Sequence, residues 1–255
     1  MALSYSGGVF VKKFRAAGVH FAISALVVGA FVALTLLVWF PFPLNRALGV
    51  DKVLLVLLGV DVVIGPMLTF IVYKPGKRTL VLDLSVIAVI QFAAFAYGAH
   101  TIFGSRPVYV VFNIDRFDVT SASEIVPAEL AAVRNPVFKA TPIWGPVVVG
   151  ARIPTDVNEK NRILFSSAGG GADLNAFPQY YHVYDSMLDE VLRAAKPVAV
   201  LPPKVVPAVT DWLASHALRA EDVRWIPVAA RRHDLTAMID AKSAKVLGFV
   251  DASPW

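Results

Sequence analysis

Three apolar stretches, each long enough to cross a bilayer as a helix, fill most of the first 105 residues. The hydrocarbon core takes about 20 helical residues. The stretches run from about Ala16 to Phe40, Val53 to Tyr73 and Leu80 to Phe103. The first carries no charge and the second only Asp61. The third has Asp83 near its start and Gln91 near its middle. The first is longer than the apolar region of a cleaved signal peptide and lacks a small-residue cleavage site after it, so it reads as retained.

Charge placement gives these spans a direction. Residues 1–105 hold eight Lys and Arg against three Asp and Glu, whereas residues 106–255 hold 16 of each, so the net charge of +5 belongs to the first part. Lys12, Lys13 and Arg15 precede the first span, and Lys74, Lys77 and Arg78 fill the turn between the second and third. Basic residues in short loops stay on the cytoplasmic side. The N-terminus is therefore expected in the cytoplasm, and everything after the third span on the far side. Trp39, Phe40 and Phe42, with Tyr97 and Phe103 at the matching end of the third span, read as an interfacial aromatic belt. Only 17% of the chain is charged, against about 25% in soluble proteins. That balance argues against a disordered tail or a nucleic-acid partner and favours the lipid bilayer. The absence of cysteine excludes disulfides, thiol chemistry and lipoprotein attachment.

The predicted division is a membrane domain over 1–105 and a second domain over 106–255. In the latter, Pro107–Ile114 and Phe117–Thr120 have strand composition, and Thr155 is placed to cap a helix that stops at Gly169–Gly171. Ser186–Ala195 and Pro207–Leu218 have helical spacing. Val223–Ala229, Leu235–Ile239 and Val246–Val250 read as strands, the last two around a turn at Ala241–Ala244. The fold class is three N-terminal transmembrane α-helices followed by an α+β periplasmic domain.

Enzyme signals are absent from the pattern. The histidines have no metal-ligand spacing, no nucleophile elbow occurs, and Gly169–Gly171 lacks a following Lys-Ser/Thr. His233-Asp234 near Asp240 is the nearest approach to an acid–base pair. No catalytic residue, cofactor or metal is expected. The intramembrane polar groups speak more strongly, because a charge in hydrocarbon costs several kcal/mol unless partnered. Asp61 lies roughly 18 Å and Gln91 roughly 16 Å from the cytoplasmic ends of their spans. Equal depth predicts that the two side chains pair, or that Asp61 faces a groove for another transmembrane helix. Gly59 and Gly65 permit close approach, and Pro66 removes a helix hydrogen bond. Asp83 reads as a first-turn acid beside Lys77 and Arg78. In the second domain, Asp115–Asp118 reads as a turn with a local salt bridge. Phe177–Tyr184, with Tyr180, Tyr181 and Tyr184, has the aromatic and polar chemistry of a protein contact.

Two segments carry a resemblance. Gly59–Thr69 (GVDVVIGPMLT) and Arg106–Phe117 (RPVYVVFNIDRF), supported by Phe177–Tyr181 (FPQYY) and the closing Leu247–Trp255, are similar to the TfpX/TfpZ family of type IV pilin accessory proteins. The resemblance implies an inner-membrane protein with a periplasmic domain, acting beside the major type IV pilin as a chaperone-like factor in pilus assembly or dynamics. It brings no catalytic residues. On this reading Asp61, Asp83 and Gln91 face the pilin's transmembrane helix, Asp83 near the depth of its N-terminal amine, and the three tyrosines face its head. Two alternatives stand beside it: a membrane-anchored periplasmic ligand sensor acting through a partner protein, and a membrane enzyme.

Overall fold

A computed structural model describes the backbone of residues 3–255 and the side chains from Gly8 onward. In chain order, α1 (Leu3–Leu34) continues as a π-helical turn over Thr35–Trp39, and α2 (Leu44–Leu48) lies in the connection that follows. Next, α3 (Val50–Leu58), a π-helical stretch (Gly59–Ile64) and α4 (Gly65–Val72) form one continuous rod. The last long helix is α5 (Leu80–Ser105). Among the described residues, three helical segments are long and apolar enough to cross a membrane: Gly8–Trp39, Val50–Val72 and Leu80–Ser105. The first helix starts well before the expected Ala16, because helical hydrogen bonding does not stop where the apolar stretch does. Lys12, Lys13 and Arg15 ride on it, and Lys13 Nζ reaches the Ile71 carbonyl at 3.4 Å.

The residues divide into two compact units: residues up to Val38 with Val50–Phe103, and Trp39–Gly49 with Gly104–Trp255. In the first unit α1 packs along α4, where Phe10, Phe14 and Phe70 meet edge to face. The turn into α5 closes with Lys77 N–H donating to the Lys74 carbonyl. Pro75 sits at its second position and Gly76 at its third, with φ +78°, as a type II turn demands.

The second unit is an α+β fold on one mixed sheet. Its elements are β1 (Pro107–Asn113), β2 (Arg116–Ser121), α6 (Pro127–Ala131), β3 (Val147–Ala151) and α7 (Val157–Ala168). There follow β4 (Tyr181–Val183), α8 (Leu188–Ala194), β5 (Lys196–Pro197), α9 (Val206–Ser215), β6 (Val223–Ala229), β7 (Leu235–Asp240) and β8 (Val246–Val250). The strand order is β4-β3-β1-β2-β6-β7-β8, with β5 paired to β6. β1–β3 and β2–β6 are parallel and the remaining pairs antiparallel. β1 is buried on both faces, which is why it reads as a continuous apolar run.

One face of the sheet packs Val110, Phe112, Ile226 and Leu235 under Val191 of α8. On the other, Val111 and Val149 pack under Ile163 of α7, while Trp225 and Met238 pack under Val209 and Leu213 of α9. Asp156, rather than Thr155, caps α7, its Oδ1 accepting from Asn158 N–H at 2.9 Å and Glu159 N–H at 3.0 Å. The Asp115–Asp118 segment is a tight hairpin with Arg116 Nε 2.9 Å from Asp118 Oδ1.

The connection between the first two long helices also belongs to this unit. Leu44 and Ala47 are buried in the same cluster as Ile226 and Leu235. The Ala47 carbonyl accepts from the Arg232 and His233 N–H groups at 3.0 and 3.3 Å. Gly49 ends α2 in the left-handed region, φ +70°, where its N–H caps Asn45 and Arg46 carbonyls. Trp39 and Phe40, expected in an aromatic belt, are buried here; Phe42 is exposed. Apolar content at the end of a span marks burial, and composition does not say whether lipid or protein provides it.

Candidate functional site

The candidate site lies within the first unit. A cavity of about 1030 Å³ lies between the middle of α1, from Lys12 to Val28, and α5 from Leu80 to Phe95, with the π-helical stretch and α4 as its floor. Lys12, Arg15 and Tyr73 stand at one end; apolar side chains such as Val19, Ile23 and Leu84 form the walls. At the far end Phe31 meets Phe95 edge to face at 5.3 Å.

The polar floor is a consequence of Pro66. In a π-helical stretch each carbonyl accepts from the N–H five residues on. Gly65 N–H accordingly donates to the Val60 carbonyl. The donor due to the Asp61 carbonyl would be residue 66, and proline has none. Gln91 fills the gap: its Nε2 donates to the Asp61 main-chain carbonyl at 3.2 Å. Gly65 makes this possible, because a Cβ there would overlap the Gln91 amide. The expected Asp61–Gln91 partnership thus runs through the main chain. It leaves Asp61 Oδ2 and Gln91 Oε1 buried with no hydrogen-bond partner, on side chains that line the cavity. Asp61 is 5% exposed and Gln91 9%. His20 Nδ1 lies 2.6 Å from Thr69 Oγ1 and ties α1 to α4 beside them, a link the sequence pattern did not reveal.

The remaining polar residues are placed elsewhere. Asp83 is bound by Lys77 Nζ at 2.6 Å and by the Thr79 hydroxyl at 3.2 Å, and it does not line the cavity. In the second unit, Asn113 Nδ2 donates to Asp118 Oδ2 at 3.1 Å, and Arg116 also approaches Asp173. Burial pushes the Asp118 carboxyl above its ordinary pKa, against the opposing pull of Arg116 and Asn113. His233 pairs with Asp251 at 3.1 Å rather than with Asp234, whose Oδ1 accepts from Ala230 N–H. Among the described residues no three His, Cys, Asp or Glu side chains converge to hold a metal.

Known proteins are similar to this chain over most of its length. It is 33% identical over 229 residues to the fimbrial assembly protein of serogroup I from Dichelobacter nodosus, covering 88% of both chains. The serogroup E1 protein of the same organism is 32% identical over 229 residues and equal coverage. The chain belongs to the fimbrial assembly protein FimB family. The family's own pattern matches residues 9–49, which span α1 and the connection through Gly49. A third FimB-like relative, from serogroups C1 and C2, is 38% identical over 123 residues, 48% of this chain and 94% of that one. No solved structure matches.

In this FimB-family chain the three tyrosines do not share one surface. Tyr181 is buried between Tyr109 and Phe138, and its hydroxyl donates to the Asn175 carbonyl. Tyr184 packs near Phe117 and donates to the Ala244 carbonyl at 2.7 Å. Burial raises the pKa of both phenols. Tyr180 is half-buried, with Arg162 Nη2 3.4 Å from its hydroxyl and the Arg162 guanidinium 4.9 Å from the Phe177 ring.

Proposed function

We propose that this protein is an inner-membrane assembly factor for type IV pili that holds the major pilin by its transmembrane helix before polymerisation. Fimbrial assembly relatives over most of the chain support the role in pilus assembly. The GVDVVIGPMLT and RPVYVVFNIDRF segments support the TfpX/TfpZ branch of accessory factors. Membrane insertion is supported by the three long apolar helices. The odd number of crossings finds support in the second unit, since Trp39–Gly49 and Gly104–Trp255 pack into one body. Two segments that share a core must lie on one side of a bilayer, and the basic loops make that side periplasmic.

The observation that carries the reading is the cavity between α1 and α5, with unpartnered buried acceptors on its floor. Its volume corresponds to about two turns of a helix about 10 Å across. Apolar walls suit an apolar helix, and a guest that brings an N–H or O–H donor to the level of Asp61 and Gln91 satisfies groups that are costly to leave unpaired in hydrocarbon. The periplasmic unit adds a second point of attachment to the same pilin, raising affinity through effective concentration.

Capture of the full-length protein from detergent-solubilised native membranes, with partners identified by mass spectrometry, tests this. Ala88 lines the cavity with an exposed methyl. Ala88→Trp fills the space without removing core packing, and is expected to lower pilin recovery at least tenfold. Val89→Trp, on the neighbouring exposed position outside the cavity, keeps it. Equal recovery with both variants sinks the helix-holding reading.

A further inference from the structure

Two residues where the chain leaves its long helices hold the same loop of the second unit. Trp39 is the last residue of the first apolar helix, and Arg106 directly follows the third. Trp39 Nε1 donates to the Ile143 carbonyl at 2.9 Å. Arg106 Nη2 reaches Thr141 Oγ1 at 3.4 Å and the Pro142 carbonyl at 3.3 Å. From β1, the Tyr109 hydroxyl donates to the Ala140 carbonyl at 3.2 Å. The loop is therefore bonded to both residues at which the chain leaves those helices.

Its side chains are the wrong kind for water. Ile143 is 53% exposed and Trp144 is 79% exposed. Phe42, in the connection that begins at Trp39, is also exposed, with Arg46 5.6 Å from its ring centroid. The same unit buries Trp39, Phe40 and Phe138, so the exposure of Ile143 and Trp144 does not come from a lack of core. An indole offers an apolar body with one polar N–H, a combination that favours the boundary between lipid headgroups and acyl chains.

We propose that the loop Ala140–Pro146 is a membrane-interface anchor, with Ile143 and Trp144 seated in the headgroup region of the leaflet at which the first and third spans end. Consecutive Cα atoms are about 3.8 Å apart. Trp144 follows the residue bonded to the Trp39 indole, so it cannot stand far from that surface. The anchor rests on the bilayer reading above. It adds a fourth attachment, besides the three chain connections at 38/39, 49/50 and 103/104, between the periplasmic unit and lipid.

The test is tryptophan quenching in the full-length protein, reconstituted into nanodiscs of phosphatidylethanolamine and phosphatidylglycerol with or without brominated acyl chains. The chain has five tryptophans. Bromolipid is expected to quench part of the wild-type emission, and Trp144→Phe, at an exposed position, to remove about half or more of that quenched part, Trp39 being the other interfacial indole. Trp255→Phe leaves it unchanged. Adding Tyr97→Trp, on an exposed position of α5, to Trp144→Phe marks lipid contact independently. If this marker is quenched while Trp144→Phe leaves the quenchable emission intact, the anchor is overturned and the spans stand. The anchor is likewise overturned if aqueous iodide, and not bromolipid, quenches Trp144. If the Tyr97→Trp indole is itself unquenched, the bilayer reading fails and the anchor falls with it.

Discussion

Gly65 is fixed as glycine by what sits against it. A Cβ at that position would occupy the space of the Gln91 amide, and that amide donates to the Asp61 carbonyl, whose π-helical donor Pro66 cannot supply. Gly65→Ala is expected to cost about 1–3 kcal/mol, the range for overpacking a close contact. The cost comes from displacing Gln91 and should shrink in a Gln91→Ala background, where the obstructing amide is gone. A double-mutant cycle on the thermal unfolding of the full chain in detergent reads this directly; an undiminished cost in the Gln91→Ala background would place the strain elsewhere. At this scale the sequence showed the participants: an acid, an amide at equal depth, two glycines and a proline. It did not show that the amide serves the main chain, because that depends on a π-helical register which shifts carbonyl partners by one residue. Nor did it distinguish the three tyrosines, since buried and exposed phenols are written with the same letter.

At the scale of elements, hydrophobic pattern located the long helices and the strands β1, β2, β6, β7 and β8. The short strands β3, β4 and β5 escaped, being two to five residues long and specified by their neighbours in the sheet rather than by their own alternation. The β7–β8 hairpin was legible, and its turn shows why it closes where it does. Asp240 Oδ1 accepts from Lys242 N–H at 3.0 Å, Ser243 N–H at 2.6 Å and the Ser243 hydroxyl at 2.8 Å. These bonds, led by the Ser243 N–H, favour the ionised carboxylate and hold its pKa below the ordinary 3.8. The stabilisation is therefore complete above the unfolded value and is lost as pH falls from about 3.8 through the lower folded value. Asp240→Asn keeps an acceptor but not the charge, and is expected to be less stable at pH 7 by roughly 0.5–1 kcal/mol. The gap between the two thermal midpoints should narrow once the pH drops below about 3.8. A gap independent of pH would mean that the charge contributes nothing to the turn.

For the whole molecule, the least legible feature is that the second unit does not begin after the third long helix. Residues 39–49 look like a short aromatic linker, and a division of the chain at 105 leaves them in the membrane part; the folded chain uses them to cover a sheet more than 60 residues away in sequence. Linear order cannot display such a contact, because nothing in Leu44 or Ala47 says which surface will bury them. A chain of residues 104–255 alone therefore lacks part of its core. Burying Leu44 contributes about 1.5–3 kcal/mol. The Ala47 carbonyl bonds to Arg232 and His233 add about 1 kcal/mol, and the exposed Arg46–Asp251 pair little. At about 2–4 °C per kcal/mol for a unit near this size, the isolated segment is expected to melt roughly 5–15 °C below the same segment joined through a flexible Gly/Ser linker to residues 39–49. Leu44→Ala in the joined chain should return most of that loss, since Leu→Ala in a core costs about 2–5 kcal/mol. Identical midpoints for the joined, unjoined and Leu44→Ala chains would show that the connection only rests on the sheet. The predicted order of stability instead makes the connection between the first two long helices part of the folding of the domain that follows the third.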